Sequence, residues 1–377
     1  MIPTIAIYAL DQGGSKTSST GIFHYTRNLI AALADQADPG FRVRILVSRS
    51  NAAALLPPEL PAWMTACAIP GDYATGARRL LADHVLAPCL ALRHQVALLH
   101  YPKGYVSICC PGRTRILATM HDAIIDHYAR RWPGALPRAK QHYLLWLTRH
   151  SLKRADFVVT DSDYSRGELA ALVPAAASRI AVVPFGPGIA AKTPSICDVV
   201  RAGLLVLGSR FPHKATKETL HLLAAYARRA PGMTRVTVTG LTGWPAEWGP
   251  PPIGVATDFV GRVSDAELAH RMASSRALVL LSEIEGFGLP AIESYAAGTP
   301  VCYRATTSLR EIMAGVPGGW TGATAHGFFE ALDEVLALPR DRIEEIRARL
   351  AARFNWNQAA MRMLELYRNE LSALPPP

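Results

Sequence analysis

Long apolar runs are missing from the 377-residue sequence, and so are the cysteine patterns that stabilise small secreted domains. No apolar stretch approaches the roughly 20 residues that a helix needs to span a bilayer. The six cysteines include no Cys-x-x-Cys pair, so neither a zinc site nor a disulfide framework is predicted, and reduced thiols in a cytoplasmic protein are expected. Residues 1–10 are apolar without a basic region before them, which predicts a first strand rather than a signal peptide.

Two common phosphate-binding motifs are also absent from the loop after this strand. A Walker A motif needs a glycine where the chain has Ser15 and an earlier glycine where it has Leu10. The G-x-G-x-x-G dinucleotide fingerprint is missing as well. A strand, a glycine-rich loop and a helix still form the first unit of a nucleotide-type fold, so we expect Gly13 and Gly14 at the mouth of a cleft between two domains.

Length and charge set broad limits on the protein. A chain of 377 residues is too long for one core, and about two domains are expected. Half of the residues are hydrophobic and 19% are charged, which is ordinary for a globular protein. The net charge of +10 permits attraction to nucleic acid, anionic lipid or a phosphorylated substrate without choosing among them.

Strand-like and helix-like segments alternate along the whole chain, which predicts an α/β protein with two doubly wound parallel sheets. Prolines and glycines cluster between the two halves and indicate a linker. The predicted divisions are a first domain at 1–187, a linker at 188–201, a second domain at 202–355 and a last helix at 356–377.

Residues 281–304 combine several signals of a ligand site. Glu285 opens a Gly-Phe-Gly turn, and the two glycines have no Cβ, so backbone N–H groups there are open to close approach by a ligand. Pro290 suits the first turn of a helix predicted at about 290–297, which ends at Gly298. The N-terminus of such a helix attracts phosphate. The alternative is a glycine-bearing helix cap with two solvated acids, Glu285 and Glu293.

The segment EGFGLPAIESYAAGTPV closely resembles the donor-binding signature of retaining glycosyltransferases of family 4. Further resemblances extend over nearly the whole chain. They imply a GT-B fold, in which two Rossmann-like doubly wound domains face an interdomain cleft. They also imply a last helix that crosses back from the second domain to the first.

The resemblance implies roles for particular residues. Glu285 would contact the sugar of a nucleoside diphosphate sugar, and Glu293 would bind the ribose hydroxyls. Lys214 would stabilise the leaving diphosphate together with the N–H groups of residues 286–289, which are Gly286, Phe287, Gly288 and Leu289. The backbone at Val260 would meet the nucleobase.

The basic partner of Lys214 is left open between His213 and Arg210, and a solvated basic turn without any ligand is the alternative for all three. His121 lies at the predicted carboxyl end of a strand, where ligands bind in open parallel sheets. It is predicted to be a hydrogen-bond partner near the anomeric carbon, the alternative being a polar residue satisfied by neighbouring backbone. The surrounding HDAIIDH segment fits no standard zinc spacing, and the resemblance implies no cofactor and no catalytic metal.

Residues 130–154 are basic with interleaved aromatic side chains, and a helix is predicted at about 137–153. A structural helix that buries Leu144, Leu145 and Leu147 is the favoured interpretation. Trp132 and Trp146 among basic residues are also typical of an anionic membrane surface or lipid-diphosphate contact. No nucleic-acid-binding module is recognisable.

Taken with the resemblance, these features predict a retaining hexosyltransferase, with mannose from GDP-mannose as the expected donor group. The expected acceptor is a glycan or a lipid-diphosphate-linked glycan in cell-surface polysaccharide synthesis. The expected location is the cytoplasm, with peripheral contact at the inner face of the membrane. A UDP-sugar donor and a non-catalytic sugar- or nucleotide-binding protein are the alternatives, and a nucleic-acid partner is not expected.

Overall fold

The computed structural model describes residues 2–13, 20–109, 113–188, 201–230 and 235–373. The chain divides into two compact units. The first contains residues 1–131, 136–185 and 355–377, and the second contains residues 132–135 and 186–354. Each unit has its own parallel sheet, which confirms the prediction of two doubly wound, Rossmann-like α/β domains.

The first unit has a seven-stranded sheet in the order β3-β2-β1-β4-β5-β6-β7, with every neighbouring pair parallel. Its strands are β1 (Thr4–Tyr8), β2 (Arg42–Ser48), β3 (Met64–Ile69), β4 (Leu98–Tyr101), β5 (Arg115–Thr119), β6 (Phe157–Thr160) and β7 (Ile180–Val182). Its helices before the second unit are α1 (Thr20–Ala34), α2 (Ala52–Leu55), α3 (Gly76–Leu81), α4 (Ala87–Arg93), α5 (Ile124–Arg131), α6 (Arg138–Arg154) and α7 (Asp163–Leu172). A π-helical turn, Ala82–Leu86, joins α3 to α4 without a break.

The second unit has a six-stranded parallel sheet in the order β10-β9-β8-β11-β12-β13. Its strands are β8 (Leu204–Leu207), β9 (Arg235–Thr239), β10 (Ala256–Gly261), β11 (Ala277–Leu280), β12 (Val301–Arg304) and β13 (Gly319–Trp320). Its helices are α8 (Thr216–Arg229), α9 (Asp265–Ser274), α10 (Leu289–Ala296), α11 (Thr307–Ile312), α12 (Ala325–Leu336) and α13 (Arg340–Arg353).

The strands are nearly continuous apolar runs because helices cover both faces of a doubly wound sheet. β11, for example, is Ala-Leu-Val-Leu and is buried along its whole length. Separate apolar cores follow in the two units, one around β1, β4 and β5 and the other around β8, β9 and β11. The carboxyl ends of the strands carry the polar residues considered below.

Side-chain caps fix several helix starts. Ser264 accepts a hydrogen bond from the Glu267 backbone N–H at 3.2 Å and caps α9. At α7 the capping residue is Ser162, which accepts from the Ser165 N–H at 3.1 Å. The Ser165 hydroxyl instead donates to the His121 carbonyl, and Glu168 pairs with His127.

The last helix, α14 (Trp356–Ser372), belongs to the first unit and packs on α1. Its Tyr367 hydroxyl lies 2.7 Å from Nδ1 of the buried His100 on β4. Glu370 pairs with Arg115 on β5 at 2.6 Å. In the described part of the chain, no helix is both long and apolar enough to cross a membrane.

Candidate functional site

Two loops of the second unit meet at the point where the order of strands in its sheet reverses direction. From β8 the chain proceeds outward through β9 and β10, and it then returns to the other side of β8 as β11. In open parallel sheets, ligands bind beyond the carboxyl ends of the two strands at such a switch point. The loop after β8 carries Arg210, His213 and Lys214, and the loop after β11 carries Glu285.

Lys214 and Glu285 form an ion pair across this switch point, with Lys214 Nζ 2.7 Å from Glu285 Oε1. The Glu283 N–H donates to the His213 carbonyl at 2.7 Å and ties the two loops together. Burial by itself would raise the pKa of Glu285, but the Lys214 ammonium outweighs it and holds that pKa below its ordinary value. Glu285 is therefore ionised at neutral pH, and the partly exposed Lys214 is its counter-ion.

The turn after Glu285 is held from behind by the start of α11. The Ser308 hydroxyl donates to the Glu285 carbonyl at 2.7 Å. Gly288 has φ +91°, and a Cβ there would lie 2.4 Å from Cδ2 of Leu309, so only glycine fits. Phe287 is buried edge-on against Phe354, with the ring centroids 5.5 Å apart. The backbone of residues 285–288 is thus fixed in one conformation.

Gly288 is also the N-cap of α10, and having no side chain it leaves the first turn of that helix without a side-chain cap. Leu289 and Pro290 begin the helix, and no acidic residue lies in its first turn. The positive end of the helix dipole therefore points out beside Lys214 and Glu285. Glu293, further along α10, is buried and accepts a hydrogen bond from the Gly188 N–H at 3.2 Å.

The two candidates for the basic partner of Lys214 differ in their surroundings. His213 is buried, and burial, followed by the neighbouring Lys214 charge, lowers its pKa to about 4. His213 is thus neutral at pH 7. Arg210 is exposed and pairs with the equally exposed Glu247 at 3.2 Å. Val260 lies in β10, two strands from β8, just before Gly261, at which the strand ends.

Thr306 and Thr307 lie beside this turn and were not identified from the sequence. Thr307 has φ +52°, a left-handed conformation that β-branched residues rarely adopt. Within the described part of the chain, the buried hydroxyl oxygens of both threonines have no hydrogen-bond partner. Strain and unsatisfied hydroxyls next to Ser308 are signals of a ligand site that sequence patterns do not carry.

In the first unit, His121 follows β5 and contacts Asp161, which follows β6. His121 Nδ1 lies 2.7 Å from Asp161 Oδ2, and Nε2 lies 3.2 Å from the Pro102 carbonyl oxygen. The Pro102 carbonyl can only accept, so Nε2 carries a proton, and Nδ1 forms its hydrogen bond with the Asp161 carboxyl. Burial would lower the pKa of His121, but Asp161 and the Pro102 carbonyl raise it. The rings of Tyr25 and Phe185 pack against the His121 ring at steep angles.

A buried ion network occupies the switch point of the first sheet, between β1 and β4, and it too was not identified from the sequence. Lys103 lies 2.9 Å from Asp11 and also pairs with Asp83, which accepts from the Tyr8 hydroxyl at 2.5 Å. Arg79 lies 3.2 Å from Asp11. Gly13 follows directly in this loop, whereas Gly14 lies outside the described residues.

No three His, Cys, Asp or Glu side chains come together as a metal site in the ranges described. Asp122, one of the acids in the HDAIIDH segment, accepts from the Ile124 N–H at the start of α5. The expectation of a metal-independent reaction stays a prediction. The second unit brings together the Lys214 ammonium, the ionised Glu285 carboxylate and the N-terminus of α10.

Known families match both halves of the chain. Residues 19–186 match Glycosyltransferase Family 4, and residues 252–352 match Glycosyl transferases group 1. The chain is 30% identical over 345 residues to the D-inositol 3-phosphate glycosyltransferase of Frankia alni, covering 83% of this chain and 81% of that protein. It is 28% identical over 236 residues to the O-antigen chain mannosyltransferase B of Escherichia coli, covering 57% and 59% of the two chains.

Among solved structures, the sucrose-phosphate synthase of Thermosynechococcus elongatus has a similar fold. The TM-score is 0.66 at 21% identity, and the match covers 98% of this chain and 100% of that one. At that identity the likeness shows the fold alone.

Proposed function

Because this chain belongs to glycosyltransferase family 4 and has the GT-B type of fold, we propose that it moves a hexose from a nucleoside diphosphate sugar with retention of anomeric configuration. One observation carries the proposal. Lys214, Glu285 and the N-terminus of α10 lie together at the switch point of the second sheet.

This region suits the charge changes of glycosyl transfer. Breaking the bond between the anomeric carbon and the diphosphate builds negative charge on the diphosphate oxygens. Lys214 and the backbone N–H groups of residues 286–289 would stabilise that charge, because fixed donors lose little free energy to reorganisation during the reaction. Glu285, ionised at neutral pH, would accept hydrogen bonds from the sugar hydroxyls.

The nucleoside would lie along the neighbouring elements. Glu293 would exchange its hydrogen bond from the Gly188 N–H for the ribose hydroxyls, and the backbone at Val260 would meet the base. We propose that Arg210 and His213 also contact the diphosphate, beside Lys214. His213, neutral at pH 7, would act as a hydrogen-bond donor rather than as a second cation.

His121 has a narrower role than a general base. Nε2 carries the proton that it donates to the Pro102 carbonyl, and Nδ1 is occupied by the Asp161 carboxyl, so neither ring nitrogen is open to take a proton from a substrate. The bond to the Pro102 carbonyl is the longer of the two, and Nε2–H is the group that would turn to a sugar hydroxyl.

Mannose from GDP-mannose is the donor we propose first. The likeness to an O-antigen chain mannosyltransferase supports both the mannose and an acceptor in polysaccharide synthesis, lipid-linked or free. The segment GIFHYTRNL at residues 21–29 also resembles the start of the first helix in a mannosyltransferase-rich branch of the family, apart from Phe23 and His24. A UDP-sugar is the second candidate donor, and donor binding without turnover is the alternative function.

The test is turnover by Lys214→Ala and Glu285→Ala variants with a donor and an acceptor glycan. Each should lower kcat about 100-fold or more while circular dichroism and Tm stay near the wild type. Lys217→Ala is the matched control, because this exposed lysine lies one turn further on and outside the ion pair. Wild-type turnover in both folded variants would refute the assigned roles. Tight donor binding without even slow donor hydrolysis would favour the non-catalytic alternative.

A further inference from the structure

Exposed apolar side chains concentrate in three segments of the first unit. Eleven large apolar side chains are exposed in the described residues, and seven of them lie in residues 76–93, 104–109 or 138–154. These seven are Leu80, Leu81, Val85, Leu92, Ile108, Tyr143 and Trp146. Trp146 and Tyr143 are 51% and 42% exposed, although their rings are among the largest apolar groups in the chain.

Hydrogen bonds and ring contacts bring the three segments together. The Ile108 N–H donates to His84 Nδ1 in the π-helical turn at 3.3 Å. The Val106 N–H donates to the Ser151 hydroxyl of α6 at 3.0 Å. The ring of His150, next to Ser151 in α6, stacks on Trp146 with centroids 5.3 Å apart, and the Tyr143 ring stacks on the far side at 6.4 Å. His84 is also close enough to His150 for their charges to interact, so the π-helical turn, the 104–109 loop and the Trp146 side of α6 adjoin one another.

The helical run that contributes Val85 leaves apolar side chains exposed at the point where it buries an acid. Asp83 points inward, where it pairs with Lys103, while Leu81 and Val85 are about half exposed. The π-helical turn Ala82–Leu86 inserts an extra residue into the helix at this point and so sets which side chains face out. A soluble helix normally places apolar residues inward and charges outward. Folding therefore does not explain the exposed apolar groups of this helix.

The segments that form this surface carry positive charge and no exposed acid. In residues 76–109 and 138–154 the one acidic residue is Asp83, which is buried. On α6, Arg149 and Lys153 lie within about 60° of Trp146 around the helix axis, and both are exposed. We define the basic apolar face as Leu81, Val85, Ile108, Tyr143, Trp146, Arg149 and Lys153.

We propose that the basic apolar face binds the surface of an anionic lipid bilayer. Aromatic and aliphatic side chains would enter the boundary between headgroups and acyl chains, and the arginine and lysine would contact lipid phosphates. A second copy of this chain is a poor occupant, because it would bring like charges together without an acid to pair them. Trp132 takes no part, since it lies in the segment grouped with the second unit. The proposal does not depend on the donor chemistry.

The test is co-flotation of the full chain with vesicles of phosphatidylglycerol or of phosphatidylcholine at 0.1 M and 0.5 M salt. We expect binding to phosphatidylglycerol at low salt, and weaker binding at high salt because exposed charges are then screened. Arg149→Glu/Lys153→Glu should lower the partition coefficient about 30-fold or more. The control Arg228→Glu/Arg362→Glu changes the net charge by the same amount at two exposed arginines outside the face, and it should bind vesicles better than Arg149→Glu/Lys153→Glu does.

A second pair of variants tests the apolar part of the face. Val85→Ser/Trp146→Ser should lower partitioning about 10-fold or more, while Ile253→Ser/Met361→Ser, also exposed but outside the face, should leave it unchanged. All these sites are exposed, so folding is checked by an unchanged Tm. Equal binding by face and control variants, or no binding to phosphatidylglycerol, would overturn the proposal. So would a wild-type dimer in light scattering that becomes a monomer in Val85→Ser/Trp146→Ser.

Discussion

Thr307 stores backbone strain that its neighbour does not. Its φ is +52°, whereas Thr306 is extended with φ −125°. Left-handed backbone costs a β-branched residue about 1–2 kcal/mol, and glycine adopts it freely. Thr307→Gly should therefore raise the free energy of unfolding by about 1 kcal/mol in urea denaturation, after allowing for the extra backbone entropy of glycine.

Thr306→Gly is the matched control and should lower the free energy of unfolding, because it relieves no strain. If Thr307 also contacts the donor, Thr307→Gly should raise the donor KM even as it stabilises the fold. A loss of stability in Thr307→Gly would show that the left-handed conformation is not strained.

His121 should titrate above the ordinary histidine pKa in the wild type. Its folded pKa is raised above an unfolded value of about 6.5, so its contribution to stability is fully present below that pH. The contribution is lost as the pH rises through the folded pKa. Asp161→Asn removes the carboxyl group 2.7 Å from His121 Nδ1, and burial then lowers the His121 pKa without an opposing charge.

We expect the His121 pKa in Asp161→Asn to fall below 6.5, measured from its ring proton by NMR in selectively labelled protein. The stability difference between wild type and variant should shrink as the pH rises. His326→Asn, a substitution at an exposed histidine of the second unit, should leave the His121 titration unchanged. An unaltered His121 pKa in Asp161→Asn would contradict the role of the Asp161 carboxyl as the group that raises it.

Residue roles differ in how far sequence alone could predict them. Glu285 and Lys214 belong to motifs, and motif spacing places them on loops after strands. Nothing local predicts that they touch, because the contact joins positions 71 residues apart. The contact between His121 and Asp161 could not be predicted either, because the two residues are 40 positions apart in the sequence. The left-handed backbone at Thr307 contradicts local preference and is imposed by packing.

At the level of elements, the entry to α10 depends on one glycine. A Cβ at Gly288 would need both a left-handed backbone and a shift of Leu309, whose Cδ2 would be 2.4 Å away. Gly288→Ala should lower the free energy of unfolding by about 3 kcal/mol, combining backbone strain with overpacking. Chemical denaturation of purified protein measures this directly.

Gly167→Ala is the comparison for that change. Gly167 lies inside α7, and an added Cβ would meet no atom within 4 Å. Alanine there should stabilise the protein by about 0.5–1 kcal/mol, because glycine is a poor helix former. A similar loss of unfolding free energy in Gly288→Ala and Gly167→Ala would mean that the turn before α10 is less constrained than its geometry indicates.

Elements were easier to predict than their details. The predicted helix at 137–153 is found at Arg138–Arg154. Of its three predicted core leucines, Leu147 is buried, whereas Leu144 and Leu145 are half-buried. The π-helical turn was not predicted, because its extra residue depends on inward packing of Asp83 rather than on local propensity.

At the scale of the whole molecule, donor identity should appear as a stability difference. A ligand that binds only the folded state stabilises it by about 2.7 kcal/mol at 100 times its dissociation constant. GDP-mannose should therefore raise Tm more than UDP-glucose, ADP-glucose and a dTDP-sugar at equal concentration. A larger shift with UDP-glucose would replace the proposed donor while leaving the glycosyltransferase assignment intact.

The Lys214→Ala variant provides the control for this comparison, since its Tm should respond less to every donor. Equal donor-induced shifts in Tm for the wild type and Lys214→Ala would place the nucleotide away from the switch point of the second sheet.

Two domains could be predicted from length and from the alternation of strands and helices. The return of α14 to the first unit was implied by family resemblance, because a distant packing partner leaves no local signal.

The pre-formed pair of Lys214 and Glu285 has a consequence for the end of the catalytic cycle. Any anion that reaches this lysine has to share the ammonium with a carboxylate already in place, which weakens its attraction to the lysine. Glu285 is in that sense a built-in competitor of the spent nucleotide. It should speed product release and limit inhibition by accumulated nucleoside diphosphate.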